Sequence, residues 1–143
     1  MIQKSAQRKA QMRAYIDLNQ ISCVNVDGYT FVVAEDLRYY GFDMKWSMET
    51  ETLELNYNPL KAPEYFAANK SMNLYSGNEV YHLYKTNIEV LINGVQVESY
   101  HIGGQTLINI ESLGAIGSVV WIDGINTIYV ATNEFQKLNP EWR

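Results

Sequence analysis

Few side chains in this 143-residue chain could carry catalysis or hold a metal, and their spacing suits neither. Cys23 stands alone, so neither an internal disulfide nor a thiolate cluster can form. It alternates with Ile21 in an apolar run, which reads as a small buried hydrophobe rather than a nucleophile. A cysteine nucleophile would need a histidine beside it, and the chain has only His82 and His101. Those two fall on predicted strands, with no further ligands at metal-binding spacing, so neither metal nor cofactor is expected. Glu49, Glu51 and Glu54 cluster before a predicted strand, where a solvated turn accounts for them better than the paired carboxylates of a glycosidase. Gly-x-Gly-x-x-Gly, phosphate-loop and Gly-x-Ser-x-Gly patterns are all missing. The expectation is a protein that is not an enzyme.

Binding is the chemistry that remains. Eleven tyrosines are many for this length, and most crowd the middle of the chain. Tyrosine offers a large contact area at low entropic cost, although it is also a good strand residue. Tyr39, Tyr40, Tyr81 and Tyr84 are the best candidates for a binding surface. Tyr39 and Tyr40 are adjacent on a predicted helix, so one face cannot bury both rings. Arg38, Lys45 and Lys85 are the basic residues that could join tyrosines around a small ligand.

Composition narrows the partner. Hydrophobic residues make up 47% and charged residues 19%, as in a globular domain. The net charge of −5 conceals an asymmetry, because Lys4, Arg8, Lys9 and Arg13 all precede the first acid, Asp17. The acidic remainder argues against nucleic acid, which needs a basic face. No apolar run is long enough to span a membrane, and no secretory signal is visible, so no membrane association is expected. The expected location is the cytoplasm or a virion.

What must position these residues is a duplication. With the chain laid over itself at an offset of 76, Ala14–Asp17 falls on Val90–Asn93, and Val26–Phe31 falls on Ile102–Leu107. Glu35, Leu37 and Gly41 fall on Glu111, Leu113 and Gly117. A one-residue deletion then changes the offset to 75, and Trp46 meets Trp121, Leu53 meets Ile128 and Leu55 meets Val130. Asp27-Gly28, Gly103-Gly104 and Asn93-Gly94 read as two-residue hairpin turns. The first copy offers only Leu18-Asn19 at the last of these places, a weaker turn signal. Helices are expected over 34–40 and 110–116, with Glu35, Asp36 and Glu111 at their starts and Gly41 and Gly117 as left-handed caps. Phe42, Met44 and Trp46, answered by Val119 and Trp121, alternate as strands.

The expected fold class is α+β: two tandem repeats, each an antiparallel sheet of about five strands (β-β-β-α-β-β) wrapped on one short helix. The boundaries are a basic segment 1–13, repeat one 14–57, a connector 58–78, repeat two 79–131 and a polar tail 132–143. Residues 64–69 could form a short helix that docks Tyr65 and Phe66. Residues 79–92 read as one long strand region, and Phe135 and Trp142 could anchor the tail. So small a unit buries little surface alone, so the two are expected to pack together or share strands.

The segment from Asp27 to Trp46, with its echo at Leu91–Gly94, Gly104–Ile108, Leu113, Gly117 and Trp121, resembles the copper amine oxidase N-terminal-like, or stalk, domain. That family is common in exported proteins of Gram-positive bacteria. The resemblance implies a small antiparallel sheet around one helix and a non-catalytic accessory role. It does not imply copper. The oxidase's catalytic domain uses three histidines and a Thr-x-x-Asn-Tyr-Asp/Glu motif, whereas Leu53–Asn58 (Leu-Glu-Leu-Asn-Tyr-Asn) has Leu for the Thr and Asn for the acid.

Three functions follow as expectations. The first is a structural or assembly module acting through a protein partner or self-association. The second is a small intracellular binder, of the kind used by mobile elements, that sequesters a small ligand or inhibits a host enzyme. The third is cell-wall or glycan binding on an exported fragment.

Overall fold

The computed structural model describes residues 13–26, 28–62, 84–85, 87–102, 104–122 and 124–142. The first half contributes β1 (Arg13–Ile16), β2 (Asn19–Ile21), β3 (Cys23–Val26) and β4 (Tyr29–Val33), then a 3₁₀ helix (Ala34–Tyr39), β5 (Phe42–Ser47) and β6 (Thr52–Tyr57). After β7 (Tyr84–Lys85) the second half repeats the order. It comprises β8 (Glu89–Ile92), β9 (Val95–Val97), β10 (Ser99–Ile102), β11 (Gln105–Asn109), a 3₁₀ helix (Ile110–Ala115), β12 (Gly117–Ile122) and β13 (Thr127–Thr132). A short helix, α1 (Asn133–Leu138), and a 3₁₀ turn (Pro140–Trp142) complete the described chain. No helix among the described residues is long and apolar enough to cross a membrane.

The strands form three sheets, ordered β12-β13-β1-β2, β3-β4-β11-β10-β7 and β5-β6-β8-β9. This departs from the expectation of one antiparallel sheet in each half: every sheet draws on both halves, so strands are shared, and two of the pairings are parallel. The β1–β2 hairpin leaves its own half and lies parallel to β13, with Ala14 opposite Ile128. The β8–β9 hairpin does the same with β6, placing Val90 opposite Leu53. The two registers are equivalent under the offsets of 76 and 75. In the middle, β4 and β11 run antiparallel with Val32 opposite Ile108. Exchange is the physical answer to size. Either half alone would leave Leu53 and Leu55, or Ile128 and Val130, on an uncovered edge.

One core unites the exchange. Ala14, Ile16, Ile21, Leu53, Leu55, Val90, Ile92, Ile128 and Val130 from the outer sheets meet Val32 and Ile108 from the central one. Leu37 and Tyr40 seal it on one side, and Leu113 and Ile116 do so on the other. Burying each such aliphatic side chain stabilises the fold by about 1.5–3 kcal/mol.

Local hydrogen bonds recur with the same correspondence. The Asp17 amide donates to the Val130 carbonyl at 2.8 Å, and that of Asn93 donates to Leu55 at 2.9 Å. The Oδ1 of Asp17 accepts from the Thr132 amide, and that of Asn93 from the Tyr57 amide, each at 2.8 Å. Each Asx side chain thus closes the end of a strand from the opposite half.

Several local expectations are corrected. The helices over 34–40 and 110–116 are six-residue 3₁₀ helices, since each must turn the chain sharply from the central sheet into an outer one. The first hairpin turns at Asp17-Leu18 rather than Leu18-Asn19, with φ of 49° and 72°, matching Asn93-Gly94 at 51° and 81°. Of the two expected helix caps, Gly41 is left-handed, at φ 92°, and Gly117 is not. Gly117 is instead the first residue of β12, where an added Cβ would lie 2.1 Å from the Ala131 carbonyl oxygen. It corresponds to Phe42, and Gly41 is the residue without a counterpart. Residues 132–143 are not merely a tail, because Thr132 ends β13 and its hydroxyl caps α1 at the Phe135 amide. The long strand expected over 79–92 is two described strands in different sheets, β7 and β8. The basic residues Lys4, Arg8 and Lys9, the helix expected over 64–69, Tyr81 and His82 lie outside the described residues.

Candidate functional site: an aromatic–acidic groove and an uncharged sheet edge

The central sheet is apolar on both faces. Thr30, Val32, Thr106 and Ile108 alternate with Tyr29, Phe31, Val33, Leu107 and Asn109, as strand geometry requires. The second set belongs to the outer face, where Phe31, Val33 and Leu107 form a separate small cluster with Val24, Val26 and Tyr100. The register sets this face: Val26 opposes Tyr29, Val24 opposes Phe31 and Tyr100 opposes Leu107.

An open groove of about 520 Å³ lies on this face, lined by Tyr29, Phe31, Glu98, Tyr100, Asn109, Glu111 and Ser112. The Tyr100 ring stands edge-on to Phe31, with centroids 5.6 Å apart and planes at 85°. Its hydroxyl donates to the Glu98 carboxylate. That bond, first, and then desolvation and the Glu98 charge raise the Tyr100 pKa, so the phenol stays protonated. Tyr29 is 55% exposed at the head of β4. The Asn109 side chain is committed to the Glu111 amide at 2.9 Å, which fixes the start of the second 3₁₀ helix. The Glu111 carboxylate is exposed above it.

The other half does not build this groove. Positions equivalent to Tyr29, Phe31, Glu98, Tyr100 and Asn109 hold Gln105, Leu107, Ser22, Val24 and Val33. Glu35, equivalent to Glu111, instead accepts from the Thr106 amide at 3.2 Å and so ties the first 3₁₀ helix to β11.

A second asymmetry lies at the sheet edges. β5 and β12 are corresponding edge strands. On β5 the outward positions carry Asp43 and Lys45, both exposed, with Lys45 opposite Glu54. On β12 the corresponding positions are Ser118 and Val120, followed by Ile122. Val120 and Trp121 are each 47% exposed, and Ile122 and Ile125 are exposed beside them. Trp46 and Trp121, the matched tryptophans of the two halves, are both exposed although they continue the inward-facing row of their strands. Each stands on an edge strand opposite a buried core residue, Leu53 for Trp46 and Ile128 for Trp121.

The residues singled out from sequence are scattered over these features. Tyr40 is core: its ring is buried and its hydroxyl donates to the Gln20 carbonyl. Burial, and then the Asp36 charge, push its pKa upward. Tyr39 is half-buried against the core, with the Arg38 guanidinium 4.8 Å over its ring. Both adjacent tyrosines thus meet the same core, Tyr40 buried and Tyr39 half-buried. Tyr84 and Lys85 form β7, placed opposite His101 and Tyr100 of β10. Lys45 lies on β5 among exposed residues. Cys23 packs against the core, and burial pushes its thiol up to about 11. Among the described residues no group of three His, Cys, Asp or Glu side chains is close enough to hold a metal ion.

Sequence reasoning passed over Tyr29, Glu98 and Tyr100 as a group, and Val120 with Ile122. The signal for both was present in the self-alignment, at positions where the copies differ rather than where they agree. Comparison of the chain with protein-family models, with curated proteins and with solved structures returns no match.

Proposed function

We propose that this chain is a non-catalytic, tandemly duplicated module that works through protein–protein contact, and that its β12 edge is the point of attachment. The duplication is supported by the equivalence of strand registers, turn conformations and backbone hydrogen bonds in the two halves. Kinship with the copper amine oxidase N-terminal-like family belongs to the same reading.

The observation that carries the attachment is the contrast between the two edges. An exposed edge strand invites another strand, and proteins guard such edges with charge. β5 has that guard in Asp43 and Lys45, whereas β12 (Gly-Ser-Val-Val-Trp-Ile) has no charge at all. A second copy of this chain is the occupant that fits. Antiparallel pairing of β12 with itself would continue the sheet across both copies and sets no like charges opposite each other.

Light scattering across a concentration series tests this. The expected result is a dimer that the single change Val120→Lys, which installs the charge present at Lys45, converts to monomer. A wild-type protein that stays monomeric at all concentrations, or a dimer indifferent to Val120→Lys and to Ile122→Lys, overturns it.

The groove favours a second reading, ligand capture. Native mass spectrometry of the untagged protein from lysate separates the two. Excess mass of a few hundred daltons, lost on denaturation, would put capture first.

A further inference from the structure

We infer that the groove on the outer face of the central sheet is a binding site for a guanidinium group, as on an arginine side chain of a partner polypeptide. The inference is independent of the β12 edge, which is built from other strands.

The chemistry of the lining points to a cation. Two carboxylates, Glu98 and Glu111, share the lining with the rings of Tyr29 and Tyr100, and no lysine or arginine is among the described lining residues. Aromatic faces attract cations through the ring quadrupole, and arginine is the side chain most often found there. A planar guanidinium also binds a carboxylate through two parallel bonds and stacks on a ring, whereas an ammonium is a compact point charge. The parts are already oriented. Tyr100 is held edge-on by Phe31 and tied to Glu98, and Asn109 fixes the turn that carries Glu111. The Glu111 carboxylate makes no hydrogen bond or ion pair among the described residues, while its counterpart Glu35 serves the structure.

The second half supplies the reason to read this as a built feature. Packing of the outer face requires only apolar residues, and Val24 and Val33 meet that need at the positions corresponding to Tyr100 and Asn109. A phenol and an amide there, with Tyr29 and Glu98 where the counterparts are Gln105 and Ser22, add aromatic and polar groups that packing does not call for.

The test uses N-acetyl-arginine amide and its neutral isostere N-acetyl-citrulline amide, titrated into the full chain and followed by amide chemical shifts. The expected result is saturable shifts at Tyr29, Tyr100, Asn109 and Glu111 with arginine, and at least tenfold weaker response with citrulline. Glu111→Gln, an exposed change, should weaken arginine binding at least threefold while leaving the ligand-free shifts unchanged away from the immediate neighbours of residue 111. An arginine-bearing peptide that binds more tightly than the amide identifies a polypeptide source. A free arginine derivative that binds as well as the peptide overturns the polypeptide part. Because Lys85 lies opposite Tyr100 in register, the titration is repeated in Lys85→Gln. Equal responses to arginine and citrulline, or none, in both forms overturn the site.

Discussion

Val32 and Ile108 oppose each other at the centre of the β4–β11 ladder, fully buried, and they are equivalent positions in the two halves of the chain. The hairpins β1–β2 and β8–β9 take corresponding places, each embedded in a sheet whose other strands belong to the opposite half.

The halves should not fold separately. Chains 1–76 and 77–143 are each expected to lack a cooperative thermal transition as monomers, because the hairpin of each is deprived of its parallel partner strand. Mixed in equal amounts, they should recover the circular dichroism spectrum of the intact protein. A monomeric half with its own sharp transition would contradict the exchanged topology.

At Leu18 a branched side chain occupies a left-handed position that its counterpart fills with Gly94. Such a conformation costs an L-residue roughly 1 kcal/mol, and Leu18 is exposed, so little packing is lost with it. Leu18→Gly is expected to raise stability by about 0.5–1 kcal/mol, read as a rise in the urea midpoint at constant slope. An unchanged or lower midpoint would show that the turn relaxes around leucine.

Asp17 and Asn93 do the same work, but only Asp17 can ionise. Desolvation raises the Asp17 pKa above 3.8, outweighing the two hydrogen bonds it accepts from Thr132. Its folded pKa lies above its unfolded one, so its contribution to stability is full below 3.8 and is lost as pH rises through the folded value. Asp17→Asn should therefore stabilise the protein at pH 7 and lose that advantage near pH 3. Nδ2 would donate to the Thr132 hydroxyl, which can donate onward to Tyr57, 3.3 Å away. Melting temperatures of both proteins from pH 3 to 8 check this, and a pH-independent difference would refute it.

Much of this protein is legible in local sequence. Turn and strand signals are short-range, so Gly28, Asn93-Gly94, Gly104 and the alternation in β4, β6, β11 and β13 locate many of the described strands, although each half has four strands before its 3₁₀ helix where three were expected. The self-alignment adds the correspondence of the halves, because equivalent positions in equivalent structures meet the same steric demands.

Pairing across the chain was decided only by tertiary structure. The period-two pattern of Ala14 and Ile16 says that one face of β1 is buried, but not which strand lies beside it. β13, more than a hundred residues away, wins because exchange closes one large core in place of two small ones. The same holds for the functional surfaces. Tyr29, Glu98, Tyr100 and Glu111 become neighbours only through the β4–β11–β10 register, and Val120 comes to an edge only because β12 is the last strand of its sheet among the described residues.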